Sequence, residues 1–139
     1  MKEPKLIRGG LAVDDRGYLR FVNDFKFENI KRFYQIENHS ENYIRAWHGH
    51  KIESKYFYVN KGAILIGAVN LDSGEVFKFT LTSESPAILY IPSGYANGFK
   101  NLTNSAIITV FSTTTLEESK NDDYRFPFDK WNIWEVEYR

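Results

Sequence analysis

No cysteine occurs in the 139-residue sequence, which excludes disulfides, a thiol nucleophile and any Cys-ligated zinc site. Histidine is nearly as scarce, with only His39, His48 and His50 to supply imidazole chemistry. Long apolar runs are missing too. The stretch from Ala63 to Val69 is interrupted by Gly67 and falls far short of the ~20 residues that cross a bilayer. The N-terminal MKEPKLIRGG has no continuous apolar segment of the kind a secretory signal needs, so a cytoplasmic location is expected. Neither sign of charge dominates: 18 Lys and Arg balance 18 Asp and Glu, and the basic residues form no run. A sequence-independent nucleic-acid binder needs a concentrated positive field, so neither nucleic acid nor membrane is an expected partner.

Aromatic residues are abundant instead, with 3 Trp, 9 Tyr and 11 Phe. Such side chains favour pleated, half-buried surfaces. Strand-like runs fall at Tyr18–Val22, Lys31–Ile36, Tyr43–His48, Lys55–Val59, Ala63–Leu71, Val76–Leu81, Ala87–Ile91 and Ala106–Ser112. Turn signals such as Asp15-Arg16-Gly17, Asn60-Lys61-Gly62, Asp72-Ser73-Gly74 and Pro92-Ser93-Gly94 separate them. Short strands at near-regular spacing predict an all-β sandwich, jelly roll or barrel, in one domain over 1–139. The one helix start is Thr115 followed by Glu117 and Glu118, with room for little more than a turn before Pro127. The aromatic segment from Asn121 to Arg139 is expected across the outside or the mouth of the β-domain.

The densest polar cluster is Arg45-Ala46-Trp47-His48-Gly49-His50-Lys51, followed by Glu53 and Lys55. Strand alternation puts Ala46, His48 and His50 on one face, and Arg45, Trp47, Gly49 and Lys51 on the other. Two imidazoles on one buried face need partners for their nitrogens. By the same parity Glu53 is out of step with the His face.

His48-x-His50, Asn60-Lys61-Gly62 and Ile91-Pro92-Ser93-Gly94-Tyr95-Ala96-Asn97-Gly98-Phe99 together resemble the two motifs of the cupin superfamily. That resemblance implies a double-stranded β-helix, or jelly roll. Metal-binding cupins place a Glu after H-x-H and a His at the end of the second motif. Here Lys55 and Asn97 stand at those positions. An ammonium at a ligand position repels a divalent cation, so no metal and no other cofactor is expected.

Within the cupins, Asp15-Arg16-Gly17, Asn38-His39-Ser40, Arg45-x-x-His48, Lys55 and Tyr90-Ile91-Pro92-x-Gly94-x-x-x-Gly98-Phe99 resemble the dTDP-4-dehydrorhamnose 3,5-epimerase family and the related dTDP-4-keto-6-deoxyhexose 3,4-ketoisomerases. The likeness runs from about Asp14 to Phe99 and more loosely through the tail. It implies metal-free chemistry on a dTDP-linked sugar, in which a proton next to a ketone is removed to give an enolate that is reprotonated elsewhere. It also implies a homodimer that exchanges its first strands, so that Arg16 serves a neighbouring site.

The residues suit that chemistry. Histidine alone titrates near neutrality unperturbed, which makes His48 the candidate base, and the ketoisomerase resemblance implies that His50 is a second proton-transfer group. Lys55 is placed to stabilise the enolate oxygen, and Arg45 offers a fork for a phosphate or the enolate. Arg16, His39, Tyr95 and Asn97 complete the expected substrate contacts. A carboxylate is expected to orient the base, with Asp129 of Phe126-Pro127-Phe128-Asp129 favoured over Asp122 and Asp123. The general acid is open among Tyr34, Tyr56, Tyr58, Tyr95 and His50, because Ser112 to Leu116 lacks the Tyr that the epimerases carry there. Arg45 to Lys51 matches the R-G-x-H-A-H-K pattern of the ketoisomerases. Lys55, Asn97-Gly98-Phe99 and the aromatic tail lie closer to the epimerases. A non-catalytic sugar-binding cupin and a metal-dependent cupin are the rival classes.

Overall fold

The computed structural model describes residues 2–139. Along them run β1 (Lys5–Arg8), β2 (Gly10–Asp14), β3 (Gly17–Phe21), β4 (Arg32–Glu37), β5 (Ile44–His50), β6 (Lys55–Lys61), β7 (Ala63–Asn70) and β8 (Val76–Thr82). The chain continues through β9 (Ala87–Ile91), β10 (Tyr95–Asn101), β11 (Ile107–Ser112), α1 (Leu116–Lys120) and β12 (Tyr124–Arg125). Two antiparallel five-stranded sheets face each other, ordered β1-β9-β6-β11-β4 and β12-β5-β10-β7-β8, while β2 and β3 form a separate hairpin. This is an all-β architecture of the kind the strand-and-turn spacing predicts, and the jelly roll is the form the cupin resemblance implies.

Alternation builds the core. On β6, Lys55, Phe57 and Val59 point inward and are buried, while Tyr56 and Tyr58 lie half-buried on the outer side. Phe57, Val59, Ile64, Ile66, Leu89, Ile108 and Val110 come from both sheets and fill the space between them. Full burial of such side chains contributes roughly 1.5–3 kcal/mol each.

A second apolar cluster covers the outer face of the β5-β10-β7 region. Trp47 and Val69 of the sheet meet Phe126, Trp131, Ile133 and Trp134 of the tail. Both indole N–H groups, of Trp47 and Trp134, donate to the Phe128 carbonyl, at 3.1 and 2.9 Å. The tail is therefore pinned to the sheet by apolar burial, by the Trp47 indole bond to Phe128, by paired backbone bonds between Trp47 and Phe126, and by Lys100 Nζ on the Trp134 carbonyl. Helix α1 is the single turn foreseen from Thr115, closed by a capping box between Thr115 and Glu118.

Strand β10 has no counterpart among the runs read from the sequence, because Asn97-Gly98 at its centre looks like a turn. Gly98 is there for space: a Cβ on it would lie 2.5 Å from the Ala46 Cβ. At this point the β10–β5 register shifts, so that Asn97 faces His48 but Phe99 faces Arg45. Two residues of β5, Ala46 and Trp47, thus oppose Gly98 alone, which is a β-bulge.

Candidate active site

The bulge corrects the face assignment of the Arg45–Lys51 segment. One extra residue between Arg45 and His48 resets the alternation, so both side chains line the same cavity. That cavity, of about 300 Å³, lies between the sheets and is walled by Tyr34, Ile36, Arg45, His48, Lys55, Phe57, Asn97 and Phe99. Four strands supply it: β4, β5, β6 and β10. Of the residues singled out from sequence, His48, Lys55, Arg45 and Asn97 meet there.

His48 is half-buried, and the loss of hydration pushes its pKa below the usual imidazole value. The positive charges of Arg125 and Lys55 push the same way, against Asp123. A neutral imidazole, ready to accept a proton, is the consequence. Lys55 is buried, and desolvation depresses its pKa, while the Glu53 carboxylate works in the opposite direction. Arg45 reaches outward. Its Nε donates to Asn38 Oδ1, which fixes the guanidinium at the border between the cavity and a neighbouring groove lined by Glu37, Asn38, His39, Tyr43 and Ile44. His39 is exposed in that groove.

His50 shares the inward face of β5 but is more deeply buried than His48. Its Nδ1 lies 2.6 Å from the Asp122 carbonyl and 3.3 Å from Glu53 Oε1. A carbonyl oxygen can only accept, so Nδ1 carries the proton and Nε2 the lone pair. That Nε2 is buried and has no partner among the described residues. Burial pushes the His50 pKa down, Lys55 adds to this, and the Asp122 carbonyl and Glu53 oppose it.

Sequence parity put Glu53 out of step with the histidines, but residues 51–54 form a loop rather than a strand. In that loop Glu53 turns fully inward and collects Ser119 Oγ, Ser112 Oγ, Arg32 Nη2 and His50 Nδ1 around its carboxylate. Burial pulls its pKa up, yet Lys55 and the hydroxyl donors outweigh this and hold it below the usual carboxylate value. Asp122 supports the loop from the other side. It accepts the backbone N–H groups of Lys51, Ile52 and Glu53 at 2.8, 2.9 and 2.9 Å.

Three expected site residues are placed elsewhere. Asp129 is exposed in the turn after Phe128, and the carboxylates brought to the histidine face are Asp122 and Glu53, with Asp123 opposite Arg125. The tail uses the 126–129 segment to dock its indoles, and its site-side acids precede β12. Tyr95 is buried in the core against Phe77, its hydroxyl donating to the Lys2 carbonyl, and does not line the cavity. Arg16 sits at the exposed tip of the β2–β3 hairpin, paired with Asp14. Tyr34, left open among possible acids, does line the cavity, whereas Tyr56 packs outside against Phe25 and Tyr90. Burial, reinforced by Glu53, pushes the Tyr34 phenol up to about 12, so it stays protonated. Arg32 stacks on its ring at 4.9 Å. Among the described residues no group of three or more His, Asp or Glu side chains is disposed to hold a metal ion. No helix among them is long and apolar enough to cross a membrane.

An antiparallel β-sandwich carries between its sheets a cavity lined by His48, Lys55, Arg45 and Tyr34, with His50 buried beside it on the same strand as His48. The family model for dTDP-4-dehydrorhamnose 3,5-epimerase matches residues 1–133, and the chain belongs to that family of isomerases. It is 28% identical, over 91% of its length and 91% of the relative's, to the spore coat polysaccharide biosynthesis protein SpsL of Bacillus subtilis (strain 168). The dTDP-4-dehydrorhamnose 3,5-epimerase of Bacillus anthracis str. Ames, solved with TDP and PPi bound, superposes with a TM-score of 0.81 at 20% identity, covering 97% of this chain and 86% of that one. The QdtA 3,4-ketoisomerase from Thermoanaerobacterium thermosaccharolyticum, solved with TDP, superposes with a TM-score of 0.73 at 24% identity, covering 91% and 89%.

Proposed function

We propose that the protein is a metal-independent epimerase of a nucleoside-diphosphate 4-keto-6-deoxy sugar, dTDP-linked, that serves cell-surface polysaccharide synthesis in the cytoplasm. The observation that carries this reading is the cavity itself: a neutral His48 shares it with a buried Lys55, a fixed Arg45 and a protonated Tyr34. His48 takes the proton next to the C4 ketone. Lys55 stabilises the enolate oxygen, in a site where low dielectric makes a fixed charge effective. Tyr34, the protonated phenol in the cavity, returns a proton to the carbon. The free end of Arg45 binds the diphosphate, and the groove beside His39 receives the nucleoside side. A buried ammonium at a cupin ligand position supports a metal-free route.

The chain is proposed to work as one cupin domain in a homodimer. The exposed apolar side chains of the β2–β3 hairpin, Val13, Tyr18 and Leu19, support a partner there, with Arg16 reaching that partner's cavity. The second reading is a 3,4-ketoisomerase. It is favoured by His50, a second inward imidazole beside the base that matches the H-x-H of those enzymes.

Proton NMR of dTDP-4-keto-6-deoxyglucose incubated with the protein in deuterated buffer separates these. Deuterium at C3 and C5 is the result expected of the epimerase. Exchange at C3 with a new 3-keto product identifies the ketoisomerase, and binding without exchange defeats both in favour of a sugar-binding cupin.

A further inference from the structure

The cluster around Glu53 is built more elaborately than the fold requires. A carboxylate with no solvent exposure on its side chain sits in the β5–β6 loop, and four groups from four different parts of the chain converge on it. Arg32 comes from β4, Ser112 from the end of β11, Ser119 from α1 and His50 from β5. Burying an ionised carboxylate is costly unless it is paired, and a loop of this length could be closed by an apolar side chain instead. The arrangement has a direction as well. Oε1 takes Ser119 and His50, while Oε2 takes Ser112 and Arg32, whose guanidinium in turn lies over the Tyr34 ring. One carboxylate therefore touches the imidazole with the orphaned nitrogen and the cation that covers the cavity tyrosine.

We propose that Glu53 is a positioning residue of the active site, which together with the Asp122 carbonyl holds His50 in the Nδ1–H form and leaves its Nε2 lone pair unengaged as a proton acceptor within the fold, beside the strand position of His48. The geometry leaves His50 little choice. Its Nδ1 faces two acceptors, at 2.6 and 3.3 Å, and neither can donate to it. The remaining nitrogen is buried without a partner, an unsatisfied acceptor that costs free energy in a resting protein and is satisfied when a proton donor approaches it. When Nε2 gains that proton, the imidazolium forms against a carboxylate that is already charged and already oriented, so no reorganisation accompanies the transfer. This is the arrangement in which a carboxylate supports a proton-transferring histidine, here made within a single loop at i and i+3 instead of by a residue of the tail. The titratable and charged groups facing His50 are His48 on its own strand, Lys55 on β6, Asp122 from the segment after α1 and Glu53 itself, with Arg32 of β4 one contact further away.

The kinetic part of this assignment rests on the isomerase reaction proposed above, but its electrostatic part does not, and the two are tested separately. The first measurement needs no substrate: NMR titration of the His50 ring nitrogens in the 15N-histidine-labelled protein and in Glu53→Gln. Loss of the carboxylate is expected to lower the His50 midpoint by about one unit or more. A midpoint unchanged within about 0.2 unit overturns the proposal. Should Glu53→Gln fail to fold, Ser119→Ala removes only the competing donor on Oε1, and a raised His50 midpoint is expected, with no movement overturning the proposal. The second measurement is turnover. Glu53→Gln is expected to lose roughly 10- to 100-fold in kcat with KM within about threefold of wild type, and to lose nothing further when built on His50→Asn. Equal losses in both backgrounds identify a merely structural role and overturn the proposal. If the wild type turns over no nucleotide sugar, the titration still decides the role of Glu53, and only the reaction is in error.

Discussion

At the scale of the residue, the cavity works by making ordinary side chains unusual. Burial strips His48 of its hydration and Lys55 and Arg125 repel its proton, so the base form persists to lower pH than for a free imidazole. Lys55→Met removes the positive charge proposed to stabilise the enolate while keeping the stem, and should lower kcat by roughly 10²–10³-fold with a small change in KM. A matched loss in KM and none in kcat would move Lys55 from the transition state to ground-state binding. Asp129→Asn should leave turnover within about twofold of wild type, since the exposed carboxylate touches no cavity residue; steady-state kinetics decide this. The Arg45–Lys51 cluster and the resemblance to the family motifs made Arg45, His48, Lys55 and Asn97 legible as candidates that meet in one cavity. Glu53 was not, because parity holds only where the chain is extended, and residues 51–54 turn. Asp129 was preferred on likeness to a tail motif, whereas carboxylates reach the histidines from the residues just before β12.

At the scale of the element, close approach dictates small residues. Gly67 lies under the tail, where a Cβ would come 2.5 Å from Ile133 Cδ1 and 2.7 Å from Trp47. Gly67→Ala should therefore destabilise by about 1–3 kcal/mol through overpacking, read from denaturant unfolding. Asp122 ties the β5–β6 loop to the segment after α1 through three backbone N–H groups, and those donors outweigh its burial to keep it ionised. Asp122→Ala leaves them unpaired and should cost about 2–4 kcal/mol, with a marked fall in Tm. Strands with clean alternation, such as β6, were evident from sequence. Strand β10 was hidden by Asn97-Gly98, residues that normally signal a turn but here accommodate the bulge opposite Ala46 and Trp47. The bulge brings Arg45 round to the cavity, and no local pattern in the sequence announces it.

At the scale of the whole molecule, buried imidazoles link stability to pH. His48 and His50 both titrate below 6.5 in the fold, so the unfolded chain binds more protons as the solution is acidified through that value. Their contribution to stability is present above pH 6.5 and is lost as pH falls through the folded values, at up to about 1.4 kcal/mol per pH unit for each proton taken up on unfolding. Glu53 and Asp122, both held low, add losses of the same sign at more acidic pH. Tm should thus decline from pH 7 to 5, and the decline should be shallower in His48→Gln, whereas a Tm that rises on acidification contradicts the assignment of neutral imidazoles. The fold as a whole was readable because turn spacing and aromatic load act over the full chain.

The central claim is that His48 removes a proton beside a sugar ketone. Its most direct test compares solvent deuterium incorporation into dTDP-4-keto-6-deoxyglucose by the wild type and by His48→Gln, with the fold of each verified by circular dichroism. Incorporation by the wild type and a loss of roughly 10²–10⁴-fold or more in the variant is the predicted result. Incorporation at the same rate by a folded His48→Gln protein would contradict it.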